Sequence, residues 1–305
     1  MRILLSIPVV AILATGCSQS EPPSAEPKVT VTASEIEIVG SDYAFTAPAE
    51  LPAGRTTFRF NNKGKIRHEL NISLLKQGVP VERLIETRRA DKPVKDLIDG
   101  PVGVLFGEPG EQSDGALTTE LVAGREYAVI CIFRDSADAP RHFDMGMYSV
   151  IRVGIAPAKA ELSPQRVDTI VGTDYAFQYP RTVAPGRHTF LFRNAGKMTH
   201  QFSVSLLVEG ATMEKLLALE KAGINVDSLF DKDFGLLQAR GGHTPLGQLA
   251  IDMQPGQVYV IACFVQDDAK SPPHHTIGMY GSIRVSGERQ ARVSLPAAST
   301  TATSG

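Results

Sequence analysis

The chain contains one long segment twice, with no insertion or deletion between the copies. Residues 34–154 align with residues 166–286 at a constant offset of 132 positions in a chain of 305 residues. The clearest match pairs Val39-Gly-Ser-Asp-Tyr-Ala-Phe45 with Val171-Gly-Thr-Asp-Tyr-Ala-Phe177. A period this long is typical of a duplicated domain rather than of a solenoid. The repeat therefore predicts two domains with one fold, joined by a linker at residues 155–165.

Within each copy the hydrophobic pattern is mainly that of β-strands. Apolar and polar residues alternate in segments such as Glu35-Ile-Glu-Ile-Val39, and turns rich in Gly and Pro separate these segments. One segment in each copy, 81–86 and 213–221, instead has helix formers at helical spacing. About 120 residues with many short strands and one helix predict an all-β chain of two tandem Greek-key β-sandwich domains, each with a short helical insertion.

The N-terminal residues have the pattern of an export signal. Arg2 precedes an apolar run from residue 3 to residue 13, and Ala14-Thr-Gly-Cys17 follows that run. Small residues before a cysteine resemble the bacterial lipobox, which predicts a lipoprotein signal peptide at residues 1–16 and lipidation of Cys17. Ordinary signal cleavage nearby, without lipidation, is the alternative.

The segments that flank the repeats have compositions typical of unfolded chain. Residues 17–33, rich in Ser, Pro and Glu, predict a flexible tether, and residues 287–305 predict a disordered tail. After the N-terminus, no apolar run approaches the ~20 residues of a membrane-spanning helix. We therefore expect a cell-envelope protein held at the periplasmic face by its lipid anchor. Ser18 favours the outer membrane if the cell has two membranes.

A set of four residues recurs at equivalent positions in both copies. In each copy a cysteine is followed by a histidine eleven positions later and a methionine five positions after that, with a second histidine upstream. The sets are His68, Cys131, His142 and Met147 in the first copy, and His200, Cys263, His274 and Met279 in the second. The two cysteines belong to separate predicted domains, so we expect no disulfide between them. Two unpaired thiols in an exported chain point to a metal.

The donor atoms of these sets indicate which metal. Two histidines, a cysteine and a methionine are the ligand set of a type 1 copper centre, in which the methionine is a weak axial ligand. Taken singly, a buried cysteine or methionine is most often a core residue. The complete set nevertheless recurs and uses four of the seven histidines, which favours two copper sites, one in each domain.

Comparison of the copies also selects between neighbouring candidates. His274 rather than His275 is the predicted ligand, because the first copy has Phe143 at the position of His275. Met147 is favoured over Met145 for the same reason, since the second copy has isoleucine at the position of Met145.

Other polar residues are predicted to lie on the surface. His188 and His243 have no equivalent histidine in the first copy and are expected to be exposed. Several aspartates between the ligand cysteine and histidine predict a solvated loop that could shape the docking of a partner. They are Asp135, Asp138, Asp267 and Asp268.

The chain resembles the cupredoxins, the plastocyanin- and azurin-like blue-copper family. In that family a turn rich in Asn leads to the first ligand histidine, as Asn62 leads to His68 and Asn194 to His200 in this sequence. The cysteine closes a later strand, and a loop then carries the second histidine and the methionine. The resemblance covers both copies and implies copper near one end of a β-sandwich and one-electron transfer. The loop between cysteine and histidine is longer than in small plastocyanins, and the helical insertion is additional.

Three classes of function remain open. The predicted function is a cell-envelope lipoprotein that binds type 1 copper in each domain and exchanges single electrons with a redox-protein partner. A metal-free interaction or ligand-binding module is the alternative. A copper oxidase or nitrite reductase is less favoured, because no histidine flanks Cys131 or Cys263 and the chain has no His-x-His pair, so we predict that the chain is not an enzyme. A net charge of −2 gives no indication of a nucleic-acid partner.

Overall fold

The computed structural model describes residues 34–157 and 167–288. The predicted signal peptide and tether lie outside these residues, as do most of the predicted linker and nearly all of the predicted tail. These features, including lipidation of Cys17, therefore stay predictions. Within the described residues no helix is long and apolar enough to cross a membrane.

Strands make up most of both copies. The first copy contains β1 (Ser34–Ser41), β2 (Ala44–Thr46), β3 (Glu50–Asn62), β4 (His68–Leu75), β5 (Ile98–Gly107), β6 (Gly115–Leu121), β7 (Glu126–Ile130) and β8 (Tyr148–Pro157). The second contains β9 (Val167–Thr173), β10 (Ala176–Gln178), β11 (Thr182–Val183), β12 (Gly186–Asn194), β13 (His200–Leu207), β14 (Phe230–Ala239), β15 (Gly247–Met253), β16 (Val258–Ala262) and β17 (Tyr280–Val285). The predicted all-β class is confirmed.

One α-helix lies in each copy at the position of the helical pattern. The helices are α1 (Val81–Arg89) and α2 (Met213–Lys221). Leu84 is buried on the inner face of α1, as Leu216 is on that of α2. The α2 helix begins after Thr212, whose hydroxyl accepts a hydrogen bond from the backbone N–H of Lys215 at 3.2 Å.

Two hydrogen-bonded layers form the body of each copy. In one layer β3 pairs with β1 in parallel and with β6 antiparallel. In the other, β4 lies between β5 and β7, and β8 pairs with β7. Alternation along β3 buries Phe58 and Phe60 completely, whereas Arg59 between them is partly exposed and pairs with Glu35. This period of two is what a strand with one face on the core requires.

Both layers continue from one copy into the other. β5 pairs antiparallel with β14 in one layer, and β6 pairs antiparallel with β15 in the other. Side chains from both copies belong to one hydrophobic core cluster. The prediction of two tandem Greek-key sandwiches is thus confirmed only as to strand content, because the copies stack side by side and share their sheets, as neighbouring repeats do in a solenoid.

The registers at this junction show a local two-fold relation between the copies. Leu117 pairs with Leu249, and Val104 pairs with Leu236, so each residue meets its own equivalent. Equivalent residues meet in this way only beside a two-fold axis. The close approach requires glycine: a Cβ atom on Gly115 would lie 2.0 Å from the carbonyl oxygen of Phe234. The equivalent contact, from Gly247 to the carbonyl oxygen of Val102, would be 2.3 Å.

Candidate metal centres

Short backbone hydrogen bonds position the predicted ligands at one end of the first copy. His68 begins β4, and Cys131 directly follows β7. The loop after Cys131 folds back on it, since the Cys131 N–H donates to the carbonyl of Met147 at 3.1 Å. The N–H of Met147 in turn donates to the carbonyl of His142 at 3.0 Å. The long loop between cysteine and histidine is therefore held against the cysteine rather than extended into solvent.

Three donor atoms converge in the first copy. The Nδ1 atoms of His68 and His142 are 2.9 Å apart. The Sγ atom of Cys131 lies 3.4 Å from Nδ1 of His142 and 4.0 Å from Nδ1 of His68. All three side chains are fully buried.

The second copy reproduces this arrangement. The Nδ1 atoms of His200 and His274 are 3.0 Å apart. The Sγ atom of Cys263 lies 3.4 Å from Nδ1 of His274 and 3.9 Å from Nδ1 of His200. These residues are likewise fully buried. The structure thus brings together three of the four predicted ligands in each copy.

The two methionines lie buried next to these trios. Met147 and Met279 are fully buried, and each carbonyl accepts a hydrogen bond from the N–H of the ligand cysteine at 3.1 Å. The terminal methyl group of Met147 packs near Gly40, and that of Met279 near Gly172. Their role as axial ligands stays a prediction.

The donor set fits a single metal ion. Ligand atoms about 2.0–2.3 Å from one ion have roughly the mutual separations seen in each trio. Two imidazole nitrogens and a thiol sulfur, both times buried, suit copper, as the sequence predicted. A backbone N–H points at each sulfur, from Glu69 at 3.4 Å and from Gln201 at 3.3 Å. Such donors favour the thiolate that a soft metal requires.

Burial disfavours the charged forms of the cysteines and of the upstream histidines in both trios. Burial is the main cause that raises the pKa of Cys131, to about 12, and the charge of Glu69 adds to this effect. The pKa of Cys263 is also raised by burial. Burial lowers the pKa of His68 and of His200. Without metal, burial therefore favours neutral imidazoles at His68 and His200 and protonated thiols at both cysteines, and an incoming metal ion must displace the thiol proton.

Aspartates contact the outer nitrogens of the histidines. Oδ1 of Asp135 lies 2.9 Å from Nε2 of His142, and Oδ1 of Asp267 lies 3.0 Å from Nε2 of His274. With a carboxylate on Nε2, that nitrogen carries the proton and Nδ1 is left free to bind metal. The hydrogen bond from His142 is the main cause of a lowered pKa of Asp135. The sequence placed both aspartates in a solvated loop, and their contacts with the ligands were missed.

A second pair of aspartates faces the upstream histidines at greater distance. Oδ1 of Asp42 is 3.6 Å from Nε2 of His68, and Oδ1 of Asp174 is 3.4 Å from Nε2 of His200. Each of these carboxylates also accepts a backbone hydrogen bond at 2.8 Å, from Lys65 or Lys197.

A tyrosine covers each trio from the solvent side. Tyr43 packs edge-on against His142, with ring centroids 5.2 Å apart, and its hydroxyl donates to Oδ2 of Asp135 at 2.9 Å. Tyr175 repeats this contact, donating to Oδ2 of Asp267 at 2.8 Å. Both tyrosines have a positive φ, 63° and 65°, which is unusual for a bulky residue. The signal for them was present in the sequence, because they lie in the best-matched segment of the repeat.

Three further histidines lie outside the trios. His243 is exposed, as predicted, but the prediction that His188 is exposed is wrong. The alternation of β12 turns His188 inward, where it contacts the carboxylate of Asp168 and the carbonyl of Ala184. The Nε2 atom of His275 lies 2.8 Å from Oε2 of Glu220, so His274 is the member of the His-His pair in the trio.

Comparisons with known proteins find similarity only among solved structures. No protein-family model and no curated protein matches the chain. A reduced auracyanin from Roseiflexus castenholzii is 21% identical over 40% of this chain and 98% of its own, with a TM-score of 0.29. The McoA multicopper oxidase from Aquifex aeolicus is 14% identical over 84% of this chain and 66% of its own, with a TM-score of 0.24.

A third solved structure is a copper-containing nitrite reductase from Thermus scotoductus. It is 12% identical over 86% of this chain and 63% of its own, with a TM-score of 0.25. These likenesses are in fold, and the chain is cupredoxin-like in its strand content and in its two His-Cys-His groups. The multicopper oxidase and the nitrite reductase, whose alignments cover 84% and 86% of this chain, are enzymes, so the sequence prediction that the chain is not an enzyme does not stand. An enzymatic role is therefore kept among the candidate functions.

Proposed function

We propose that each copy is a Greek-key cupredoxin-like unit that binds one type 1 copper ion, and that the protein transfers single electrons. The ligands would be His68, Cys131, His142 and Met147 in the first unit, and His200, Cys263, His274 and Met279 in the second. The observation that carries this proposal is the buried trio of two imidazole nitrogens and one sulfur, present twice with nearly the same distances.

The protein's own residues prepare these sites for electron transfer. Copper bound there would supply one-electron redox chemistry. Asp135 and Asp267 hold their histidines with Nδ1 directed inward, and the backbone bonds between cysteine, histidine and methionine fix the loop. Because the trios are buried and backbone hydrogen bonds fix the loops that carry them, water is excluded and the ligands need not rearrange when the charge of the metal changes.

Two cysteine variants test the proposal. Serine is similar in size to cysteine but a poor ligand for copper, so Cys131→Ser and Cys263→Ser should each fold and keep one copper per chain. Each variant should lose about half of the visible absorption of the copper-loaded protein, and the double variant should be colourless. Loss of all copper from either single variant would show that the copies do not bind metal independently.

The same samples separate the other classes of function. A wild-type chain that takes up no copper and gains no visible absorption would be a metal-free interaction or ligand-binding module. Oxygen and nitrite consumption by the copper-loaded chain, measured with an electron donor, decides whether it is an oxidase or nitrite reductase. Sustained turnover of either substrate would replace the electron-carrier proposal with an enzymatic one.

The proposed place of action is the cell envelope, with Cys17 lipidated and the periplasmic face exposed to a redox-protein partner. The pattern of residues 1–17 supports this placement. Attachment through two or more acyl chains gives a stable membrane anchor. The intact mass of the mature chain tests it, and Cys17→Ala should release the protein from membranes. A mature N-terminus elsewhere, without lipid, would contradict the proposal.

A further inference from the structure

Two cavities of similar size flank the junction between the copies. One has a volume of about 420 Å³ and the other about 400 Å³. Their linings correspond through the repeat: Ser73, Arg88, Lys95 and Ile98 line the first, and their equivalents Ser205, Glu220, Asp227 and Phe230 line the second. The two-fold relation of the copies has thus produced one cavity twice.

The charges of the two cavities are opposite. The first, which we call the basic cavity, is lined by Arg88, Lys95 and Arg240 and by no acidic residue. The second, which we call the acidic cavity, is lined by three acids and one cation, namely Glu220, Asp227, Asp233 and Arg67. Identical backbone positions therefore carry opposite charges, which points to a separate role for the basic cavity.

Two acids of the acidic cavity already have partners. Asp233 forms an ion pair with Arg67, and Glu220 lies 2.8 Å from His275. In the basic cavity, by contrast, no acid among residues 34–157 and 167–288 lies within 4.0 Å of a charged nitrogen of the three cations. Its three cations thus have no ion-pair partner at this distance.

Arg88 is the most buried of the three cations. Its Nε–H is shielded from solvent and has no hydrogen-bond partner among the described residues. A buried polar group left without a partner costs free energy. Glu69, which does not line the cavity, attracts Arg88 by charge, but this attraction leaves Nε–H unpaired. A guanidinium group presents a fork of N–H donors that matches an oxyanion.

We infer that the basic cavity binds a small oxyanion, a carboxylate or phosphate compound, that pairs with Arg88. Lys95 and Arg240 are exposed and would attract the ligand to the mouth. Thr199 and Gln238 supply neutral hydrogen-bonding groups on the wall contributed by the second copy. A volume of about 420 Å³ lies in the range of small-molecule sites. The site is distinct from both metal centres and does not depend on copper.

Calorimetric titration of the full mature chain in neutral detergent tests the inference. Inorganic phosphate and citrate are titrated separately at constant ionic strength, with sodium chloride as the compensating salt. We expect saturable binding of one anion per chain. Saturation by phosphate alone, by citrate alone or by both supports the site and identifies the class of ligand. The absence of saturable binding of either anion would overturn the inference.

Three variants locate the binding. Arg88→Gln should weaken binding at least ten-fold, whereas Arg89→Gln, which removes the same charge from the neighbouring position that pairs with Asp144, should bind as wild type. The double variant Lys95→Gln/Arg240→Gln changes only exposed residues, so it keeps the inference testable if Arg88→Gln does not fold. It should weaken binding several-fold. Equal affinity in wild type, Arg88→Gln and the double variant would exclude the cavity as the site.

Discussion

The two metal centres have nearly the same geometry but different surroundings. Corresponding distances within the trios differ by no more than 0.1 Å. Glu69 lies next to the first trio. Its side chain is buried, and its backbone N–H contacts the sulfur of Cys131. The second copy has Gln201 at that position. Loop lengths and backbone hydrogen bonds thus determine ligand geometry, and the side chains behind the ligands determine the local charge.

Two further positions near the trios also differ between the copies. The first copy has Arg88 and Phe143, and the second has Glu220 and His275 at the equivalent positions. In the first copy Glu69 and Arg88 interact through their charges, and in the second copy Glu220 contacts His275. Each copy therefore retains one acid near one base but places the acid differently, next to the cysteine only in the first copy.

The largest expected difference is in pH-dependent stability without metal. Burial raises the pKa of Glu69 from 4.5 to about 7. Between these values the folded chain holds a proton that the unfolded chain has lost, so the free energy of unfolding should fall as pH rises from about 4.5 to about 7. The full effect is about 3 kcal/mol. Urea unfolding of metal-free protein at pH 5 and pH 8 measures it.

Glu69→Gln, which copies the residue of the second repeat, is the matched control. Other groups also titrate in this range, so the informative quantity is the difference between wild type and variant. The variant should gain stability relative to wild type as pH rises. If the free energies of unfolding of the two proteins change with pH in the same way, titration of Glu69 is not the cause.

The next largest effect concerns the aspartates on the ligand histidines. Asp135→Asn should weaken copper binding at the first centre about 10–100-fold, because the carboxylate orients His142 and increases its basicity. Competition with a chelator, in a Cys263→Ser background that leaves only the first centre, measures this change. Asp138→Asn, in the same loop, should have little effect. The equivalent result is expected for Asp267→Asn in a Cys131→Ser background, and unchanged affinity in both would contradict the role.

The reduction potentials of the two centres should also differ. A carboxylate near the cysteine stabilises the more oxidised metal, so the first centre should have the lower potential above pH 7. Glu69→Gln should raise that potential by on the order of 50 mV, the size of a partly screened Coulomb interaction. Gln201→Glu should lower the potential of the second centre. Spectroelectrochemistry in the two single-cysteine backgrounds measures both, and identical wild-type potentials would remove this difference between the copies.

The smallest expected effect comes from the covering tyrosines. Tyr43→Phe removes the hydroxyl that donates to Asp135 and keeps the ring against His142. Copper affinity of the first centre should fall only about two- to five-fold, as is usual for one partly exposed hydrogen bond. Tyr175→Phe should act equally on the second centre. A larger loss at one centre than at the other would reveal an asymmetry that the contacts do not show.

The ligand trios could be predicted from sequence because the repeat is ungapped. Equal spacing of His142 from Cys131 and of His274 from Cys263 separated ligands from chance residues. The repeat carried a signal for the contact of Asp135 with His142, because Asp135 has an equivalent aspartate in the second copy whereas Asp138 does not. That signal was not used, since acids in a loop are usually solvated. The burial of His188 depends on Asp168, which lies on another strand of the sheet. The sheets of the two copies join where glycines let the backbones approach closely. A hydrophobic pattern does not predict such an approach.

The self-pairing of Leu117 with Leu249 has a consequence for the ancestry of the protein. In a symmetric homodimer of a single-repeat ancestor, the same contact would have joined the leucine of one subunit to the same leucine of the other subunit. Such a dimer must carry identical residues at both metal centres and both cavities, because one gene encodes both. Fusion of the two halves into one polypeptide removes that constraint. Glutamate beside one cysteine and glutamine beside the other are available to the fused chain but not to such a homodimer.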